Sequence, residues 1–163
     1  MKPVFSTLKK NHYSSDENSP DYKGKTDVYN EIGYDFGKLV AQNGQYGNTC
    51  AVRMSLALLK SNVNFGHPIS RLVIKSGPYK GRFVGTGAKT LADALASPTV
   101  LGKPLTGEKA KDAIETKRGI VLFYDWPGYS RGGHIDLIEP GSICHSSCFF
   151  KEGLKELWFW PLD

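Results

Sequence analysis

The helix predicted over residues 49–59 constrains the fold of this chain most strongly. Its side chains are apolar on nearly every face. A helix of this kind has to be buried, so other elements must cover it. Asn48 and Thr49 are both able to cap the first turn, because each offers a side-chain oxygen to the free N–H groups. The helix therefore belongs in the core of the fold.

Strand patterns dominate the chain after this helix. Residues 72–74 and 82–84 are short strand candidates joined by a turn-rich link, and two short helices are predicted over residues 90–96 and 108–117. Three further strands are predicted over residues 119–124, 134–138 and 157–160. Short connections between those last strands favour antiparallel pairing and an α+β class, in which N-terminal helices pack on the sheet.

Less regular sequence precedes the buried helix. Residues 11–27 are polar and rich in turn formers, which predicts an exposed loop that leaves His12 at the surface. Residues 28–42 have apolar side chains at helical spacing, but Gly33 and Gly37 argue against one unbroken helix.

Length and charge narrow the class of protein. The 163 residues predict a single domain, residues 1–163, that is long enough to bury a core. The 21 basic and 16 acidic residues give a formal charge of +5, and the excess is spread along the chain. Without a concentrated basic patch we do not expect a nucleic-acid partner, although an anionic polymer remains compatible with the charge. The sequence shows neither a secretory signal nor a membrane span, which predicts synthesis in the cytosol and no membrane insertion.

Cys50 is the first candidate for chemistry, because it lies at the start of the buried helix. Helix N-terminal N–H groups and the helix dipole favour the thiolate form of a cysteine and are able to hold the oxyanion of an attacked carbonyl. A polar loop with Tyr46 precedes the cysteine, and Tyr46 is a candidate substrate-binding residue at the edge of a cleft. The alternative interpretation is that Cys50 is a small apolar core residue and Tyr46 a half-buried loop residue.

His134 is the candidate general base. It follows two glycines and begins a strand on which His134, Asp136 and Ile138 share one face. Asp136 is the nearest carboxylate able to orient the imidazole, although the i, i+2 spacing is tight for a direct bond. His145 and Ser146, on the following segment, are alternatives for that third position. A lone strand histidine without a catalytic task is the competing interpretation.

The other two cysteines, Cys144 and Cys148, are separated by three residues. A local disulfide between them is geometrically plausible, and it implies an oxidising compartment. Two reduced, buried cysteines are an equally acceptable interpretation. A zinc site formed with His145 is a weaker one, because no fourth ligand is evident. Nothing in the sequence indicates a cofactor or a bound metal.

Two segments together resemble a known family: residues 47–55, GNTCAVRMS, and residues 133–137, GHIDL. They are similar to the fourth family of type VI secretion amidase effectors, antibacterial toxins related to NlpC-type cysteine peptidases. The resemblance implies a papain-like α+β core with Cys50 as nucleophile and His134 as base. It further implies hydrolysis of the γ-D-glutamyl–meso-diaminopimelate bond of peptidoglycan stem peptides, a DL-endopeptidase activity.

The same resemblance implies partners and a place of action. The partners are peptidoglycan, a cognate immunity protein and the secretion machinery, which delivers the protein into the periplasm of a target bacterium. Several members of the family have a disulfide near the third catalytic position, to which Cys144 and Cys148 correspond. The chain departs from the family at that position, because residues 143–148 hold no carboxylate. Either Asp136 or a neighbouring group is the third member, or a Cys–His dyad suffices.

Two other functions remain open from the sequence. One is a different cysteine hydrolase or an acyltransferase, and the other is a non-catalytic module that binds the cell wall. We further expect a Cys144–Cys148 bridge to order the loop beside His134, which predicts higher activity after export.

Overall fold

The computed structural model of the chain describes residues 2–163. The α-helices are α1 Phe5–Asn11, α2 Lys25–Glu31, α3 Phe36–Gln42, α4 Cys50–Lys60, α5 Ala88–Leu95 and α6 Gly107–Ile114. The strands are β1 Arg71–Val73, β2 Phe83–Gly85, β3 Leu105–Thr106, β4 Gly119–Trp126, β5 Tyr129–Glu139, β6 Ile143–Cys144 and β7 Glu156–Pro161. A 3₁₀ turn, Gly44–Gly47, leads into α4.

Five strands form one antiparallel sheet in the order β3-β7-β4-β5-β6, and β1 pairs with β2 in a separate ribbon. Alternate residues of the central strand β4 face opposite sides of the sheet. Ile120 and Leu122 pack in the core that contains α4, whereas Val121 and Phe123 pack in a second core that contains residues of α6. Because both faces are covered, β4 is apolar at consecutive positions.

Helix α4 lies in the core, as its composition predicts, and every residue from Cys50 to Leu59 is buried. It packs against α1, α5, β2 and β5. Its two buried polar side chains, Arg53 and Ser55, both form hydrogen bonds. The predicted α+β class, with N-terminal helices packed on an antiparallel sheet, is confirmed.

The N-terminal third differs most from the sequence prediction. Helix α1 was not predicted, and residues 28–42 belong to two helices, separated where Gly33 takes a φ of 88°. The predicted exposed loop is only partly exposed, because His12 and Ser14 are buried. Assigning His12 to the surface was therefore wrong: its ring packs against His145, a residue distant in sequence. Within residues 2–163, no helix combines the length and the apolar character needed to cross a bilayer.

Candidate active site

Cys50 begins α4 and is the one described cysteine outside a disulfide. Its backbone N–H donates to Asn48 Oδ1 over 3.3 Å, and its Sγ lies 3.9 Å from the carbonyl oxygen of Gly133. The Asn48 amide nitrogen donates to the same Gly133 oxygen over 3.0 Å and to the Tyr129 hydroxyl over 2.9 Å. Asn48 therefore fastens the start of the helix to the strand that carries His134.

The two predicted caps of α4 take different partners. Asn48 accepts a hydrogen bond from the first turn, as just described, whereas the Thr49 hydroxyl accepts from the Arg53 Nε over 2.8 Å. Arg53 is 2% exposed and also donates to the carbonyl oxygens of Ser14 and Lys23. Its guanidinium thus holds backbone in place and is not directed toward a substrate.

His134 lies next to Cys50 and is almost fully buried. Its Nε2 is 2.9 Å from Asp136 Oδ2, and its ring packs against Phe149 with 4.9 Å between ring centroids. Burial, the largest single effect, lowers the pKa of the imidazole, but hydrogen bonds and charge interactions with Asp136 and Cys50 outweigh it and raise the pKa to about 10. The imidazole is therefore protonated at neutral pH.

Asp136 is fully buried and has a hydrogen-bond donor on each carboxylate oxygen. Oδ1 accepts from the backbone N–H of Leu137 over 2.8 Å. Oδ2 accepts from the backbone N–H groups of Ser146 and Ser147 over 2.9 and 3.0 Å, in addition to its contact with His134. Burial raises the pKa of the Asp136 carboxyl, but the hydrogen bond and charge of His134 outweigh it, so the net shift is downward.

The two serine N–H groups belong to the disulfide loop, residues 144–148, which is closed by a bond between Cys144 and Cys148. Because both sulfurs are in that bond, neither is a thiolate ligand, and the zinc interpretation of this segment is excluded for the disulfide form. Within residues 2–163 no cluster of three metal-ligating side chains occurs.

A cavity of about 510 Å³ opens above Cys50 and His134. Trp126, Tyr129 and Phe149 form an aromatic wall, and two lysines line the rim at positions 25 and 151. An opening of this size admits a peptide segment alongside the thiol and the imidazole.

The structure brings three sequence candidates together, Cys50, His134 and Asp136. The tight spacing noted for Asp136 still allows a direct bond to His134. His145 is directed away, toward His12 and Asp21, and Ser146 contributes its backbone to Asp136 instead of its side chain to His134.

Tyr46 was expected at the edge of the cleft beside Cys50, but it does not line the cavity. Gly47 and Asn48 line the cavity, whereas Tyr46 lines a neighbouring depression beside Ile69. The physical reason is the 3₁₀ turn, in which the carbonyl oxygen of Tyr46 accepts a hydrogen bond from the buried Tyr29 hydroxyl.

Sequence reasoning missed the aromatic wall and the rim lysines. Trp126 lies beside the β4–β5 turn and Phe149 directly follows Cys148, but neither fits a periodic pattern that marks a cleft. Proximity to a candidate catalytic segment was the one usable signal, since Phe149 adjoins the disulfide loop.

The fold is a helix bearing a cysteine packed against an antiparallel sheet, which is consistent with the NlpC/papain-like class. The family model described as "Type VI secretion system (T6SS), amidase effector protein 4", Tae4, matches residues 46–160. The chain belongs to this Tae4 family of amidase effectors. Membership implies an antibacterial effector that hydrolyses peptidoglycan.

Solved Tae4 structures share the fold over nearly the whole chain. Tae4 from Salmonella typhimurium, in complex with the immunity protein Tai4 from Enterobacter cloacae, is 24% identical, with a TM-score of 0.69 over 99% of this chain and 100% of that chain. A selenomethionine variant of the Salmonella Tae4/Tai4 system is 25% identical, with a TM-score of 0.68 and full coverage of both chains. Tae4 from Enterobacter cloacae is 23% identical, with a TM-score of 0.69 over 100% of this chain and 98% of that chain. A search among curated proteins found no significant match.

Proposed function

We propose that this chain is a cysteine-dependent amidase that hydrolyses the γ-D-glutamyl–meso-diaminopimelate bond of peptidoglycan stem peptides. The observation that carries the proposal is the alignment of Cys50 and His134, which line an open cavity, with the buried Asp136 bonded to His134. A thiol, an imidazole and a carboxylate in this order constitute an activated nucleophile with an oriented acid–base partner. Family membership supplies the substrate class, and the sequence resemblance supplies the bond.

Transfer of the thiol proton from Cys50 to His134 prepares the nucleophile. The raised pKa of the His134 imidazole makes it a strong acceptor for the thiol proton, and transfer of that proton gives the thiolate that attacks. Asp136 stabilises the imidazolium through its 2.9 Å contact with Nε2. Since Nε2 faces Asp136, the opposite ring nitrogen, Nδ1, faces the sulfur.

Acylation then follows the course of other cysteine amidases. The Cys50 thiolate attacks the amide carbonyl, and the developing oxyanion is held by N–H groups at the start of α4. The 3.3 Å bond from the Cys50 N–H to Asn48 is long, so an oxyanion competes with it readily. His134 gives its proton to the leaving amine of diaminopimelate, which breaks the C–N bond and leaves a thioester.

Deacylation returns the enzyme to its starting state. His134, now neutral, takes a proton from a water molecule, and the resulting hydroxide attacks the thioester carbonyl. The C–S bond breaks, the D-glutamyl carboxylate departs, and the proton on His134 restores the ion pair with Cys50.

The cavity suits an anionic peptide. Stem peptides carry free carboxylates next to the scissile bond, and Lys25 and Lys151 line the rim. Neither lysine takes part in an ion pair within residues 2–163. Both are therefore available to attract substrate carboxylates, in keeping with the overall charge of +5.

The setting that we propose is delivery by the type VI machinery into the periplasm of a rival cell, with a cognate immunity protein protecting the producer. The solved Tae4–Tai4 complexes from Salmonella typhimurium and Enterobacter cloacae support such a partner. The Cys144–Cys148 disulfide supports an oxidising place of action.

Mass spectrometry of digested peptidoglycan sacculi tests the proposal directly. The wild type is expected to release fragments with a free diaminopimelate amine and a free D-glutamyl carboxylate, and Cys50→Ala is expected to release none while keeping the wild-type circular dichroism spectrum. Equal release by both proteins contradicts the mechanism. Cleavage at another bond, or transfer of the glutamyl group to an added amine, contradicts the assigned reaction and indicates a different cysteine hydrolase or an acyltransferase.

A further inference from the structure

Two segments that are distant in sequence meet behind Asp136. One is the N-terminal segment, residues 12–15, and the other is the disulfide loop, residues 144–148. The loop supplies two of the N–H groups that hold the Asp136 carboxylate, but it contains no carboxylate of its own. The position of Asp136 therefore depends on whatever fixes this loop.

Direct hydrogen bonds join the N-terminal segment to the loop. The Ser14 hydroxyl donates to the carbonyl oxygen of His145 over 2.6 Å, and the backbone N–H of Ser15 donates to the Ser146 hydroxyl over 3.0 Å. Ser14 is fully buried, so its bond is shielded from competing water. These contacts fix His145 and Ser146, which immediately precede Ser147.

A chain of three side chains makes a second connection. His145 Nε2 lies 2.9 Å from Asp21 Oδ2, and His145 Nδ1 lies 2.7 Å from His12 Nδ1. Because the Asp21 carboxylate only accepts, Nε2 of a neutral His145 donates to it and leaves Nδ1 to accept from His12. His12 is 3% exposed and belongs to the segment just after α1. The titratable and charged groups around His12 are Asp136, His145, Arg53 and His134.

The N-terminal segment is itself anchored to the helix that carries the nucleophile. Arg53, three residues after Cys50, donates from Nη1 to the carbonyl oxygen of Ser14 over 2.9 Å. These contacts form a closed network of interacting residues. It runs from α4 through Arg53 and Ser14 to the disulfide loop, then through Asp136 and His134 back to Cys50.

We propose that Ser14 and His145 are positioning residues of the active site, which hold the disulfide loop so that its N–H groups keep Asp136 against His134. The inference rests on the proposed Cys50–His134 mechanism. It assigns a catalytic consequence to an N-terminal segment of which only Ser15 lines the cavity. Errors of about 1 Å in the placement of a catalytic group cost on the order of 100-fold in rate, so loosening this support is expected to lower kcat.

The test compares two buried serines that differ in location. Ser14→Ala removes the bond to His145 and a 3.0 Å bond from the Asp16 N–H, whereas Ser55→Ala removes a 2.9 Å bond from the Gly85 N–H, away from the loop. Both serines are fully buried, so each substitution removes a buried hydroxyl. Each variant is measured for kcat and KM on muropeptides, with active sites counted by stoichiometric alkylation of Cys50. The rate of that alkylation is also recorded against pH.

Ser14→Ala is expected to lower kcat per active site about three- to tenfold, with KM within about twofold of the wild-type value. The alkaline limb of its alkylation profile is the change in rate at high pH, where His134 loses its proton. This limb is expected to move to lower pH, because a less firmly held Asp136 stabilises the His134 imidazolium less. Ser55→Ala is expected to keep the wild-type kcat per active site and the wild-type profile. His145→Ala is expected to resemble Ser14→Ala, and His145→Asn, which retains an acceptor near the Nδ1 position, is expected to recover most of the rate.

The proposal is overturned if Ser14→Ala and His145→Ala keep both the wild-type kcat per active site and the wild-type alkaline limb. It is also overturned if Ser55→Ala shifts the profile equally, since the effect then reflects general stability. Alkylation needs no substrate. A shifted profile in a protein that does not cut muropeptides therefore supports the positioning role while refuting the proposed substrate.

Discussion

The His134 imidazole and the Asp136 carboxylate lie on the same face of one strand, two residues apart, and join directly with 2.9 Å between Nε2 and Oδ2. Side chains at i and i+2 ordinarily stand parallel, with no reason to converge. Here the backbone N–H groups of Leu137, Ser146 and Ser147 surround the Asp136 carboxylate and fix its orientation. Strand β5 carries both His134 and Asp136, and the disulfide loop donates hydrogen bonds that orient Asp136 toward His134.

Asp136→Asn is expected to lower kcat by up to roughly 10⁴-fold while leaving the protein folded. The amide removes the negative charge that stabilises the imidazolium, so the proton on His134 is lost at lower pH. Alkylation of Cys50, followed from pH 6 to 11, is expected to show an alkaline limb near pH 10 in the wild type and a clearly lower one in the variant.

Asp112→Asn, on the exposed surface of α6, is the matched control for this change and is expected to behave as wild type. An Asp136→Asn enzyme with the wild-type alkaline limb and the wild-type kcat contradicts the assignment of Asp136 as the third member of the triad.

The double variant Cys144→Ser/Cys148→Ser is expected to fold and to retain reduced activity. A bridge across so short a loop stabilises the folded state by about 2 kcal/mol, which is a tolerable loss. The larger effect is expected on kcat, because the N–H groups of Ser146 and Ser147 lose a fixed position next to Asp136.

Rates of oxidised wild type, wild type reduced with a thiol reagent, and the double variant on the same muropeptide measure this effect. Oxidised wild type is expected to be fastest and the other two alike. Three equal rates contradict the expectation that the bridge raises activity after export.

The sequence predicts a candidate nucleophile and a candidate base because their signals are local. Cys50 begins an apolar helix, and His134 follows two glycines in an alternating pattern, so neighbouring residues suffice to single them out. The predicted strand starts too late, because β5 begins at Tyr129 and His134 lies inside it. The antiparallel pairing of β4 with β5 is predictable for the same reason, since only Pro127 and Gly128 separate the two strands.

The residues that surround the candidate catalytic side chains are not predictable from the sequence, because their positions depend on contacts between distant segments. His12 lies in a polar stretch that is typical of an exposed loop, but it is buried among residues distant in sequence, including His145, 133 residues away. Trp126 and Phe149 reach the cavity through the placement of a turn and a loop, which no periodicity specifies. Tyr46 was chosen by its distance in sequence from Cys50, whereas the 3₁₀ turn directs it elsewhere.

Replacing both rim lysines, Lys25→Met and Lys151→Met, is expected to raise KM for muropeptides roughly two- to tenfold with little change in kcat. Methionine retains the length of the side chain but removes the charge that attracts substrate carboxylates. The KM of the wild type is expected to rise with salt concentration, and that of the double variant to rise less. Lys109→Met, on the exposed face of α6, is the control. A wild-type KM and salt dependence in the double variant exclude the lysines from substrate binding.

His12 is expected to make the fold sensitive to mild acid. Burial, the largest effect, lowers the pKa of its imidazole to about 4 although the charge of Asp136 opposes it, whereas in the unfolded chain the value is 6.5. The unfolded state therefore binds a proton first as the pH falls, so stability present above pH 6.5 is lost between pH 6.5 and 4, by about 3 kcal/mol. His12→Asn keeps a donor near the Nδ1 position but does not titrate. Urea unfolding at pH 4.5 and 7.5 is expected to show a larger loss of stability on acidification in the wild type than in His12→Asn, and equal losses contradict a buried neutral His12.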